Sequence, residues 1–208
     1  MITDKSIKRR RTLAVRLGYS VSHAAVIGDV ARTLGIDVVS SDGVVNETVV
    51  GDVILPLDAP RWMIEAAVLR SLAPKHILFL CVANSARSQM AEGIARSMAS
   101  EGVRISSAGS EPTAPHRQAI KALSELGLDI SGHTSSDAIS VEGTVDAVIT
   151  LCAEEVCPAW LEPAWRLHWG LPDPAHSGDI PDQEVTAFRA VRDELIRRLT
   201  VLFLGTCE

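Results

Sequence analysis

In the stretch "LCVANSARSQMAEG", the thiol of Cys81 and the guanidinium of Arg87 stand six positions apart, joined by small and polar residues. An apolar run, "HILFLCV", comes before and a helix-forming run after, so residues 81–88 read as a strand-to-helix turn. In such a turn the backbone N–H groups of Val82, Ala83, Asn84, Ser85, Ala86, Arg87 and Ser88 curl into a nest at a helix N-terminus, which binds a tetrahedral oxyanion. Arg87 adds a planar fork that grips two of the oxyanion's oxygens at once. The same donors stabilise a thiolate, so Cys81 becomes a nucleophile lying inside the cradle of its own substrate. Ser88 can donate its hydroxyl to that sulfur, and Asn84 can brace the loop through bonds to backbone. Singly, a strand-end cysteine and a helix-start arginine are ordinary; C-x5-R followed by Ser, with this strand and helix around it, is specific. A nucleotide P-loop is excluded, because G-x-x-x-x-G-K-[ST] is absent.

Displacement at phosphorus or arsenic also needs an acid for the departing oxygen. "LPDPAH" offers Asp173, stiffened between two prolines after the strand-like "WRLHW". A second pair of thiols lies in "ITLCAEEVCPAW", with Cys152 after a strand and Cys157 five residues on, before Pro158. On a rigid helix the two would sit about 140° apart and could not reach the ~5.5 Å Cα separation of a disulfide. Pro158 biases Cys157 away from helical geometry, and a loop can bring them together as a relay that passes a disulfide outward. Zinc is disfavoured, since Cys152, Cys157, His168 and His176 are badly spaced for a structural site. His23, His76, His116 and His133 are scattered, and Cys207 near the chain end reads as incidental.

These groups need a scaffold, and the chain is long enough to build one. It has 208 residues, 47% of them apolar, enough for one full core and a small second one. The basic start "MITDKSIKRRR" lacks the apolar stretch of a signal peptide, and four cysteines are too few for a disulfide framework, so a soluble cytoplasmic protein is expected. The cluster Lys5, Lys8, Arg9, Arg10 and Arg11 reads as a solvated tail. Residues 1–73 carry 9 Lys and Arg against 8 Asp and Glu, and residues 74–208 carry 11 against 18. That acidity argues against nucleic acid as a partner of the second part and leaves anion binding to local donors.

Composition changes at "SLAPKHILFLC", where Pro74 ends a helical pattern, which divides the chain into residues 1–73 and 74–208. In the first part "SHAAVIGDVARTLG" reads as a helix capped by Ser22 and stopped by Gly35, "VVSSDGVVNETVV" as a hairpin about Asp42-Gly43, and "DAPRWMIEAAVLRSL" as a helix. Helix, hairpin and helix suggest a small α+β module, winged-helix-like or serving for dimerisation. In the second part strands and helices alternate, from "HILFLCV" through "VRISSAG" and "TVDAVITL" to the helix "DQEVTAFRAVRDELIRRLTVLFL". That pattern predicts an α/β fold, a four-stranded parallel sheet with helices on both faces, and Cys81 at the carboxyl end of its first strand.

Leu80 to Gly93 resembles the catalytic loop of the low-molecular-weight protein tyrosine phosphatase superfamily. "NSARSQMAEG" with "LCAEEVCP" is most similar to its thioredoxin-coupled arsenate reductase branch, over about residues 75–200. The resemblance implies that Cys81 attacks arsenate, that Arg87 and the loop amides hold the oxyanion, that Ser88 stabilises the thiolate and that Asp173 is the general acid. It implies further that Cys152 attacks the Cys81–arsenic adduct, releasing arsenite, and that Cys157 takes over the disulfide and presents it to thioredoxin. A glutathione, glutaredoxin or mycothiol system is the other possible reductant. No metal or organic cofactor enters this chemistry. The chain departs from the family pattern at three places: Ala86 stands where members often carry a second cysteine, the Cys152 to Cys157 spacing is short, and Ala175 and His176 replace the aromatic residues that follow Asp-Pro in phosphatase members. The competing readings are a phosphatase using the same Cys81, Arg87 and Asp173, and a non-catalytic arsenite or redox sensor.

Overall fold

Alternating apolar strands and amphipathic helices fold here around two four-stranded sheets that share one hydrophobic core. The structure, a computed structural model, describes residues 12–16, 21–41, 48–56, 58–153, 160, 162–176 and 181–207. The N-terminal part runs β1 (Thr12–Arg16), α1 (Val21–Leu34), β2 (Asp37–Ser41), β3 (Thr48–Val50), β4 (Val53–Leu55) and α2 (Arg61–Ser71). The second part runs β5 (His76–Cys81), α3 (Arg87–Met98), β6 (Arg104–Gly109), α4 (Arg117–Ser124), β7 (Ala147–Cys152), β8 (Trp165–Leu171) and α5 (Pro181–Leu204), with short 3-10 turns at Ala138–Ser140 and Pro174–His176. Among the described residues no helix is long and apolar enough to cross a membrane.

The first sheet has the order β2-β1-β3-β4 and corrects the expected hairpin. The described strands on either side of Asp42-Gly43, β2 and β3, do not pair with each other: β1 lies between them, parallel to β2 and antiparallel to β3. Residues 42–47, with Asp42, Gly43, Val44 and Val45 of the expected turn, lie outside the described residues. The hairpin that forms is β3–β4, turned by Gly51 at φ +62°. Thr12–Arg16 follows the basic run directly and is too short to announce itself as a strand, yet it is the strand that organises this sheet. The parallel β1-α1-β2 unit it creates is not a winged-helix arrangement. Ser22 lies within the first turn of α1 and not ahead of it, whereas Gly35 ends the helix at φ +67° as its position predicts.

α2 is buried from Met63 through Leu69 because it has neighbours all around: α1 on one side, α5 on another, with β3, β4 and β8 beneath. Pro74 therefore separates two sheets but not two cores.

The second sheet has the order β6-β5-β7-β8, and all its pairs are parallel, as the alternating pattern predicts. β5 is buried at every position, as a central strand covered on both faces must be. Ile77 and Phe79 face the cluster built by the α-helices, while Leu78 and Leu80 face Val145 and Val148, flanked by Ala138, Val141 and Trp160. β8 continues past the predicted "WRLHW" to Leu171. It passes through Gly170, where a Cβ would come within 3.5 Å of the Cys152 carbonyl and the Ala153 Cα.

Two features hold the ends of this sheet in register. At the amino end the buried His76 ring donates from Nδ1 to the Thr144 carbonyl (3.0 Å), and its Nε2 lies 2.7 Å from Ser106 Oγ, whose hydroxyl donates to it when the ring is neutral. At the carboxyl end Gly109 of β6 lies so close to the strand-to-helix loop that a Cβ there would stand 2.2 Å from the Val82 carbonyl oxygen and 2.8 Å from Asn84 N.

Burial holds the His76 imidazole below its usual 6.5, so the unfolded chain takes up the proton first. The stability it contributes is complete above about pH 6.5 and is lost as pH falls through the folded value. Thermal melts between pH 7.5 and pH 5 are therefore expected to fall more steeply for the wild type than for His76→Gln. Gly109→Ala is expected to cost about 1–3 kcal/mol in chemical denaturation, through overpacking against backbone that cannot yield, and to weaken oxyanion binding in parallel.

Candidate active site

β5 ends at Cys81 and α3 begins at Arg87, so residues 82–86 must reverse from strand to helix in one tight loop. Asn84 takes φ +45°, a left-handed conformation that Asn adopts more readily than most residues. The loop's carbonyls are all engaged: Val82 O accepts from Glu111 N (3.0 Å), Ala83 O from Thr113 N (3.0 Å) and Ser85 O from His116 N (2.9 Å). Asn84 O accepts from Ser135 Oγ (2.6 Å) and Gln89 Nε2 (3.1 Å). A planar trans peptide sets C=O of one residue opposite N–H of the next, so tying these carbonyls to the surroundings turns the amides of Ala83, Asn84, Ser85 and Ala86 into the loop. Ala86, at the start of α3, makes no side-chain cap, and the helix's first N–H groups add to the same concavity.

Asn84 is fully buried and is the hub of the loop. Its amide nitrogen donates to Ser88 Oγ (2.8 Å) and Ser107 Oγ (2.8 Å), and its side-chain oxygen accepts from Ser136 N (2.8 Å) and Gln89 Nε2 (3.2 Å). Because Ser88 Oγ already accepts from Asn84, its own hydrogen is available to Cys81 Sγ, 2.9 Å away. Ser107 passes its hydrogen to Glu92, which pairs with Arg96. Gln89 spends its amide hydrogens on carbonyl oxygens, so its Oε1 is an acceptor and requires a hydrogen on His133 Nδ1 (2.9 Å). His133 Nε2 then accepts from Arg96 (3.2 Å), consistent with burial holding this imidazole below its ordinary range.

Arg87 is 3% exposed and lies between the loop and the carboxyl end of β8. Its NH1 donates to the Leu171 carbonyl (3.1 Å) and its NH2 lies 3.4 Å from Asp173 Oδ2. Asp173 also accepts from Ala175 N (3.2 Å) and meets His176 Nδ1 at 2.9 Å. Residues 81 and 173, far apart in sequence, are joined through Arg87 because β5 and β8 end on the same side of one parallel sheet.

Cys152 ends β7, the strand beside β5, and is 1% exposed. The register of β7 against β8 shifts between Thr150 and Cys152, which breaks the regular ladder at that thiol. Cys157 lies outside the described residues. Among the described residues, Cys81, Cys152 and Cys207 form no disulfide with one another, and Cys207 sits against the Ile54 carbonyl of β4, where burial pushes its thiol up. His23 pairs with Thr48, His116 stacks on Phe188 and His168 meets Thr150, so these rings serve separate places. Ser107, Gln89, Glu92, Gly109, Ser135 and Ser136 were not legible as site residues. The available signal was "SSAG" at the end of a strand neighbouring the nucleophile's, which carries weight only once the strand order is known.

A thiol at the entry to a loop of inward-turned amides, with a buried guanidinium at the loop's exit and a carboxyl paired to it, suits attack on a tetrahedral oxyanion. The chain is similar to known proteins. The arsenate reductase of Halalkalibacterium halodurans is 43% identical over 129 residues, covering 60% of this chain and 92% of that protein. That of Bacillus subtilis is 41% identical over 128 residues, with the same coverage of each. Among solved structures, an arsenate reductase in its phosphate-binding state superposes with a TM-score of 0.53 at 34% identity, over 62% of this chain and 97% of that one. The arsenate reductase of Archaeoglobus fulgidus gives 0.52 at 27% identity, over 61% of this chain and 98% of that one. The model of the low molecular weight phosphotyrosine protein phosphatase family matches residues 76–206, the whole of the second sheet and its helices, and the chain belongs to that family.

Proposed function

We propose that the protein reduces arsenate to arsenite by a cysteine relay. The observation that carries this reading is the second buried thiol, Cys152, at the carboxyl end of the strand adjacent to the one bearing Cys81. The arsenate reductases to which the chain is similar over almost their whole length support it. Hydrolysis has no use for that thiol, whereas reduction consumes two.

The Cys81 thiolate, stabilised by the Ser88 hydroxyl and the loop amides, attacks arsenic in HAsO4²⁻ and forms a sulfur–arsenic bond. One As–O bond breaks, and the departing hydroxide takes the proton of Asp173 and leaves as water. The incoming dianion competes with Asp173 for the Arg87 fork; released from that ion pair, the carboxylate takes up a proton from solvent water and holds it for the departing hydroxide. The Cys152 thiolate then attacks Cys81 Sγ. A disulfide forms, the electrons of the sulfur–arsenic bond pass to arsenic, and As(V) leaves as As(III), picking up protons from water. Cys157 attacks Cys152, restores the Cys81 thiolate and presents a Cys152–Cys157 disulfide to a dithiol reductant of the thioredoxin class. The alternative is a phosphatase using Cys81, Arg87 and Asp173 alone; Ala175 and His176 after Asp-Pro leave no aromatic frame for a phenyl ring there.

The test is NADPH oxidation in the presence of arsenate, thioredoxin and its reductase. The wild type is expected to consume NADPH steadily, and Cys152→Ser to stop after the first adduct while retaining slow hydrolysis of p-nitrophenyl phosphate. Rapid p-nitrophenyl phosphate turnover without NADPH loss would mean a phosphatase instead. Asp173→Asn is expected to lower kcat roughly 10²–10⁴-fold for arsenate, with binding of the oxyanion largely kept, as measured by pre-steady-state kinetics.

A further inference from the structure

A cavity of about 770 Å³ opens on the seam between the two sheets, away from the oxyanion loop, none of whose residues lines it. Its floor is β8, the edge strand of the second sheet, and its walls come from α1, α2, α5 and Trp160. The volume is that of a site for a small organic molecule. Val30, Leu34, Val148 and Leu167 supply apolar wall, and Trp62 and Trp160 add two indoles.

Its polar groups are unevenly matched. The one carboxylate in the lining, Glu65, is held by Arg61 at 2.8 Å, and burial raises its affinity for a proton, so it offers little negative field. Arg61 is also paired with Asp29 at 2.7 Å, and Arg198 is paired with Glu194 at 2.7 Å while lying 5.4 Å over the Trp62 ring. Arg166 forms no ion pair among the described residues; its guanidinium donates to the Glu162 carbonyl at 3.1 Å. The Trp160 indole N–H is buried and has no hydrogen-bond partner among the described residues. A surplus cation and an unused donor thus meet two aromatic rings and an apolar wall, a combination that asks for an acceptor-bearing planar ligand.

We propose that this seam binds a small aromatic anion, its ring against Trp62 and Trp160 and its charge on Arg166. The site is independent of the proposed reduction, and its test does not use activity. The full chain is titrated calorimetrically with 2-naphthoate in excess inorganic phosphate, which keeps the oxyanion loop occupied. Expected are a single saturable site, weakening on the order of tenfold in Arg166→Glu, the worth of one charge-assisted hydrogen bond, and loss of binding in Thr33→Trp, which fills the cavity from α1. Both positions are exposed, and circular dichroism melts confirm that each variant is folded before it is titrated. Absence of binding heat to the wild type, binding that occurs only when phosphate is left out, or equal affinity in the folded variants would overturn the proposal.

Discussion

Everything in the catalytic half rests on which way the peptide units of residues 82–86 face. A concave row of amides is an unfavourable arrangement on its own, since it lines up like dipoles and, in the absence of an anion, leaves N–H groups without acceptors. The protein imposes it by satisfying the opposite side of each peptide: Glu111, Thr113 and His116 donate to the loop carbonyls from one direction, and Ser135 and Gln89 from another. Gly109 allows β6 to come close enough for this to happen. The concave row of amides is thus set by bonds on its outer side, in place without any anion.

The same economy governs the polar groups around the nucleophile. Asn84, Ser88 and Ser107 are all buried, and each hydrogen has a single acceptor to go to, ending at Cys81 Sγ in one direction and at Glu92 in the other. Fully satisfied networks of this kind fix geometry as well as charge, because altering one member strands the next. Arg87 stands apart: it reaches the Leu171 carbonyl at the end of β8 and Asp173 two residues beyond, so the guanidinium ties the start of α3 to the exit of the sheet's edge strand.

Among the described residues, the N-terminal part contributes none to that site. It attaches through α2, whose burial on all sides merges its core with that of the second sheet, and it leaves a polar-rimmed cavity along the β8 edge. The family match begins at residue 76, so this part is an addition to the shared fold.

How much of this was legible beforehand differs from residue to residue, for physical reasons. The strand-turn-helix about Cys81, the alternation that makes a parallel sheet and the stop at Gly35 are local matters of periodicity and turn chemistry, and they could be read directly. Asp173 was legible as a stiff acid after a late strand, but its approach to Arg87 was not, because that depends on β5 and β8 ending on one side of the sheet. The pairing of β1 between β2 and β3 escaped notice, as five residues carry too little pattern to reveal a partner and the Asp-Gly signal pointed to the wrong neighbour. Ser107, Gln89, Glu92 and Gly109 are ordinary residues in the sequence; only the strand order β6-β5-β7-β8 brings them beneath the loop. The sequence by itself determined which reactive groups are available, a thiol, a guanidinium and a carboxyl with a second thiol beside them. The tertiary structure alone decided how they meet, because hydrogen-bond partners separated by twenty to ninety residues leave no period and no spacing to read.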